Sequence, residues 1–164
     1  MTPDVRIEIA TATDVPVILR MITALAAYEK LAHEVTATEE RLRHSLFGPQ
    51  KRAEVLLAYA GVEPVGFAVV FHSFSTFLGQ PGLYLEDLFV MPDWRGRGIG
   101  KRLFARAARM AVERGCGRME WAVLDWNQPA IGFYKKLGAR AMEEWTVYRL
   151  TGRELQQAAG QAGH

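Results

Sequence analysis

A chain of 164 residues, 49% apolar and 23% charged, is long enough to bury a core and too apolar to remain disordered. Twenty Lys and Arg against 18 Asp and Glu leave a formal charge of +2, a balance that does not suggest the basic face of a nucleic-acid binder. The lone Cys116 excludes an intrachain disulfide, and His33, His44, His72 and His164 show no ligand spacing with it, so no metal is expected.

The opening residues are polar and strand-like, without a basic start followed by an apolar core. The best apolar stretch, residues 15–27, is too short to span a bilayer and contains Arg20. A cytoplasmic protein that binds no membrane is expected.

In chain order, VRIEIA alternates apolar and polar side chains as a half-buried first strand. Thr13 offers an N-cap to a helix on which Val17, Ile18, Met21, Ile22, Leu25 and Tyr28 share a face. Thr36 and Glu39 form a capping-box pattern for a second helix through about Phe47. AEVLLAYA and VGFAVVFH, separated by residues 61–64, predict an antiparallel hairpin. Residues 73–82 read as a loop with exposed aromatics, and LYLEDLFVM as the next strand. A glycine loop follows, then a helix over about 98–114 with an apolar stripe of Ile99, Leu103, Ala107, Met110 and Ala111. Gly115 and Gly117 end it. RMEWAVL is expected as a strand, residues 127–138 as a helix capped by Asn127, and WTVYRL as a last strand before a weakly helical tail. The order β, α, α, β, β, β, α, β, α, β implies a mixed α/β fold, with a mostly antiparallel sheet flanked by helices in one domain over residues 1–164.

The stretch EDLFVMPDWRGRGIGKRLF, residues 86–104, carries the chemistry. A strand running into glycines and then a helix forms an anion site, because the first helical N–H groups lack intrahelical partners and the helix dipole is positive there. The glycines run G-x-G-x-G, which fits neither the dinucleotide G-x-G-x-x-G nor the Walker loop. Arg95-x-x-Gly98-x-Gly100 instead resembles the acetyl-CoA pyrophosphate loop of the GCN5-related N-acetyltransferases (GNAT), a family whose element order is the one found above. Together with WNQPAIGFYKKLGA and LAAYEK, it resembles the diamine (spermidine/spermine) and thialysine N-acetyltransferase branch of that family.

The resemblance implies the GNAT fold, acetyl-CoA as co-substrate, a small cationic amine as acceptor and a homodimer. It implies that the backbone of Leu88, Phe89 and Val90 pairs with the pantetheine arm. Arg95, Gly96, Arg97, Gly98, Ile99, Gly100 and Lys101 would hold the pyrophosphate. Asn127, Pro129 and Ala130 would line the other side of the donor, with Lys136 at a nucleotide phosphate. Tyr134 matches the branch's catalytic tyrosine, and Tyr28, Glu29 and Glu120 stand where the branch contacts substrate, although Glu120 departs from its common residue.

The residues read alone leave alternatives open. Tyr134 also fits an amphipathic core position, while a phenol's ordinary pKa of about 10 is close enough to a thiol's for such a group to protonate departing sulfur. Glu86 and Asp87 lie mid-strand, where acids are depleted and an unpartnered buried acid is costly. Glu86 is read as the catalytic acid that binds the cationic amine and relays its proton, against an internal ion pair; Asp87 is read as a substrate contact. A non-catalytic acyl-CoA sensor, a GNAT enzyme acting on a drug or protein amine, and a nucleic-acid binder using the basic loop are the rival functions.

Overall fold

The structure is a computed structural model that describes residues 4–160. The chain divides into two compact units between Leu124 and Asp125. In the first, β1 (Val5–Ile9) leads to α1 (Val15–Tyr28), α2 (Glu39–Phe47), β2 (Glu54–Ala60), β3 (Glu63–Ser75), β4 (Gln80–Val90), α3 (Ile99–Glu113) and the two-residue β5 (Met119–Glu120). The second holds α4 (Gln128–Lys136) and α5 (Gly152–Gly160).

The five strands lie in sequence order, antiparallel throughout except for the parallel β4–β5 pair. Strand alternation sorts the apolar side chains into two layers. Leu56, Ala58, Ala68, Val70, Leu83 and Leu85 pack with Ile99, Leu103, Ala107, Met110 and Ala111 of α3, the stripe its spacing predicts. Val55, Leu57, Phe67, Val69 and Phe89 pack on the opposite face with Ile18 and Met21 of α1 and Leu46 of α2. Phe67, Ile18 and Leu103 have no solvent exposure, and burying each contributes about 1.5–3 kcal/mol.

Several boundaries differ from the sequence expectation. The 3-10 turn Ala12–Asp14 holds Thr13, so α1 starts one residue later, with Asp14 at its N-cap and its carboxylate accepting from the Thr11 N–H at 2.8 Å. Thr38, not Thr36, caps α2 by accepting from Arg41 N–H at 3.2 Å. The expected loop over 73–82 is mostly strand: cross-strand pairing continues to Ser75↔Gln80 and leaves a four-residue tip, residues 76–79. Its aromatics are exposed as expected, Phe77 almost fully.

RMEWAVL contributes only Met119 and Glu120 to the sheet, and WTVYRL forms no strand. Alternation alone does not make a strand. The backbone of residues 145–150 finds no ladder partner among the described residues, and Trp145, Val147 and Tyr148 stay exposed. The final expected β is therefore replaced by irregular chain leading into α5.

The end of α1 bears on the site. Leu31 N–H bonds to Ala26 O at 2.8 Å and Lys30 N–H to Ala27 O at 3.2 Å, the paired bonds of a Schellman cap. Lys30 takes the left-handed position (φ 61°) usually given to glycine, a conformation that costs an L-residue about 1–2 kcal/mol.

The layering predicts a contrast along α3. Leu103→Ala, at a fully buried position, should lose about 2–5 kcal/mol of stability, whereas Val112→Ala, at a position 79% exposed, should stay within about 0.5 kcal/mol of the parent. Urea unfolding of both variants measures the difference.

Candidate active site

Strand β4 is not a regular strand. Val69 pairs with Asp87 and Val70 with Leu85, so Glu86 is an extra residue in a β-bulge. The bulge reverses the phase of the strand: Leu83 and Leu85 face α3, and so do Leu88 and Val90, while Phe89 faces α1 and α2. Asp87, opposite Val69, is thereby carried to the α1/α2 side, and Glu86 is left exposed at the bulge.

This geometry separates the two acids differently from simple strand alternation. Asp87 is the desolvated one: burial first, then the charges of Glu86 and Glu29, push its carboxyl up to about 7. Burial also raises Glu29, the residue that caps α1. Burial and then the charges of Glu86 and Glu120 raise Tyr84. Glu120 sits opposite Tyr84 in the parallel pair and forms an ion pair with Arg118 at 3.2 Å. The carboxylates of Glu29, Asp87, Glu86 and Glu120 thus make a connected acidic field along β4, one that favours a cation.

Pairing of β5 with β4 stops at Tyr84, so from Leu85 to Val90 no strand of the sheet pairs with the second edge of β4 among the described residues. Such an edge offers backbone hydrogen bonds to an extended ligand, which suits the role expected of Leu88, Phe89 and Val90.

The loop after β4 has a 3-10 turn, Pro92–Trp94, followed by Arg95 and the glycines. Gly96 (φ 76°) and Gly98 (φ 78°) are both left-handed, and Gly98 is the N-cap of α3, so the turn into the helix requires glycine there. Gly100 differs: a side chain at that position would meet only Val90 Cγ2, at 3.7 Å. Arg102 N–H to Gly98 O, 3.0 Å, is the first turn's bond, which leaves the N–H groups of residues 99–101 directed out of the helix start.

The loop's arginines are engaged by the protein itself. Arg95 Nε donates to Val90 O at 3.0 Å, and its guanidinium lies 4.5 Å from the Tyr28 ring centroid and 5.3 Å from that of Phe89. The Arg97 guanidinium stacks 4.7 Å over Trp94 and donates to Asp93 O. Ile99 is buried in the core, so only its backbone faces outward, while Lys101 is exposed.

In the second unit, Asn127 is buried and caps α4, its Oδ1 accepting from Ala130 N–H at 3.4 Å. Pro129 lies in the first turn, Tyr134 is half-buried with its ring 5.4 Å from that of Phe133, and Lys136 is exposed in the last turn. Gly138 ends the helix as expected, with Ala139 N–H bonded to Tyr134 O.

Two features escaped the sequence reading. The bulge has a signal, since the apolar period of two in Leu83, Leu85, Leu88, Val90 slips at Glu86-Asp87. The Arg95–Tyr28 stack joins residues far apart in the chain and has none.

A bulged strand thus feeds a left-handed glycine turn and a helix start open to an anion, beside a row of acids. A model of the acetyltransferase (GNAT) family matches residues 21–139, and the chain belongs to this family of acetyltransferases. It is 38% identical to the thialysine N-epsilon-acetyltransferase of Mus musculus over 94% of this chain and 97% of that protein. It is 32% identical to the L-ornithine N5-acetyltransferase of Arabidopsis thaliana, over 92% and 86%. The integron cassette protein from the mobile metagenome of V. cholerae has the same fold, with a TM-score of 0.79, 27% identity and coverage of 97% and 98%. The resemblance to the diamine branch and to the GNAT fold is thereby upheld.

The elevated Asp87 carboxyl carries a sign that stability measurements read. Between its ordinary value of 3.8 and about 7, the folded protein keeps a proton that the unfolded chain releases. This group's contribution to stability therefore falls as pH rises through that window and is flat above it. Asp87→Asn removes the fall, so the variant should gain stability relative to the parent between pH 5 and pH 8. Urea midpoints at the two pH values test this; an equal difference at both would place the Asp87 titration elsewhere.

Proposed function

We propose that the protein transfers the acetyl group of acetyl-CoA directly to the terminal amino group of a small amine carrying a second positive charge, a diamino acid or polyamine. The observation that carries the proposal is the acidic row at the β4 bulge, centred on a desolvated carboxyl at Asp87. The names of the relatives, thialysine and L-ornithine acetyltransferases, support the same class of acceptor.

The loop residues fit the donor. The outward N–H groups at the start of α3 and the exposed Lys101 are assigned to its diphosphate, and the open space over Gly96 and Gly98 lets the phosphates reach the backbone. Leu88, Phe89 and Val90 are assigned to its extended arm. When bound, acetyl-CoA supplies an acyl group already activated as a thioester.

The acids do two things. Glu86 and Glu29 attract and orient the dication, and Asp87 accepts a proton from the reacting ammonium. An alkylammonium loses its proton near pH 10.4. Transfer to an ordinary Asp is uphill by about 6.6 pK units, or about 9 kcal/mol; transfer to a carboxyl near 7 is uphill by about 3.4 units, or under 5 kcal/mol. Burial and the neighbouring charges thus remove at most about half of the proton-transfer cost, since the bound cation itself lowers the carboxyl again. The neutral amine then forms the C–N bond as the C–S bond breaks, the nitrogen's surplus proton passes to water, and the tyrosine that protonates the sulfur recovers its proton from solvent. Tyr134, assigned by the family resemblance, donates its phenolic proton to the departing sulfur. Asn127, Pro129, Ala130 and Lys136 are assigned to the donor on the same basis, and Tyr28 and Glu120 to the acceptor.

Following CoA release with thialysine, lysine, ornithine and spermidine side by side tests the assignment. At least one dication should turn over, and Tyr134→Phe should lower its kcat by about 10²–10⁴ with donor affinity nearly unchanged. Absence of turnover with every dication, together with no CoA-dependent rise in melting temperature, contradicts the proposal. Full turnover by Tyr134→Phe would remove the tyrosine from the chemistry.

A further inference from the structure

We infer that Arg95 is a positioning residue that couples the donor loop to the acceptor segment, so that binding of one substrate tightens binding of the other. This rests on the acetyl-transfer reading above and adds a regulatory property to it. Arg95 leaves the 3-10 turn on the loop side, yet its guanidinium is spent on the acceptor side, over Tyr28 at the end of α1 and Phe89 of β4, with Nε fixed to Val90 O. The Tyr28 and Phe89 rings are themselves 6.1 Å apart, so the cation and two rings form one cluster joining loop, strand and helix end.

The helix end it touches is under strain. Glu29, one of the charges acting on Asp87, lies between Tyr28 and the left-handed Lys30, a conformation that persists only where surrounding contacts hold it. The Schellman bonds hold Lys30 itself, and the Arg95 stack holds Tyr28, two residues before it. Phosphates that order the backbone of residues 96–101 also order Arg95 at its edge. Through Tyr28 they stabilise the position of Glu29 beside Asp87. The coupling is a free energy and is therefore reciprocal: the cationic acceptor strengthens donor binding by the same factor.

Arg95→Lys separates this role from phosphate binding, because it retains the charge and loses the planar stack. Calorimetric titration of the diamine accepted best, with and without saturating CoA, should show acceptor affinity rising several-fold with CoA in the parent, within the usual range of about 5–150. In Arg95→Lys the rise should vanish and acceptor KM should increase about tenfold, with CoA affinity within about threefold of the parent. Tyr28→Leu should also abolish the rise, and Tyr28→Phe, which keeps the ring, should restore it. Retention of the parent's coupling and acceptor KM in Arg95→Lys overturns the inference while leaving the acetyl-transfer reading intact. Loss of CoA affinity alone identifies Arg95 as a phosphate ligand and also overturns it. Failure of the parent to bind CoA overturns both.

Discussion

One extra residue in β4 governs the site. Without the bulge at Glu86, the alternation set by Leu83 and Leu85 would carry on through Asp87 and Phe89, placing a carboxyl in the α3 core and taking Phe89 away from α1 and α2. The bulge keeps both apolar layers intact and moves the acid to the α1/α2 side, where Glu86 and Glu29 act on it. Burial against like charges is costly for the isolated protein. It is also the condition that gives a carboxyl useful basicity near neutral pH.

The loop that follows divides its labour. Its glycines shape the turn and leave the helix start open, while Arg95 and Arg97 stack on aromatic rings and bind carbonyl oxygens of their own chain. A phosphate-binding loop rich in arginine need not use guanidinium groups as ligands. In the proposed donor site backbone N–H groups would be the partners, while Arg97 braces the loop on Trp94 and Arg95 ties it to Tyr28 at the end of α1.

Much of this was legible in the sequence, for reasons that vary by element. The stripe of α3 was read correctly because a 15-residue amphipathic helix repeats its signal four times. The motif over Arg95–Gly100 pointed to the family because turn chemistry is local. Asn127 caps α4 as its spacing predicts, but the caps of α1 and α2 lie one and two residues from the expected ones, since several threonines compete within short segments and only geometry decides among them. WTVYRL was misread because a strand is defined by its neighbour, which no local pattern supplies. The sequence puts Glu86 ahead of Asp87 without sight of the bulge, which leaves Glu86 exposed and Asp87 the more desolvated acid. The Arg95–Tyr28 contact spans two elements and lay beyond any local reading.

The proposed chemistry requires the carboxyl at the β4 bulge to receive a proton from a cationic amine. Carbon-13 NMR titration of the aspartate carboxyls, with Asp87 assigned by its loss in Asp87→Asn, measures it directly. A midpoint near 7 in the free protein, falling by a unit or more with a saturating diamine, is the predicted result. A midpoint near the ordinary value of about 4, unmoved by the amine, would contradict the account.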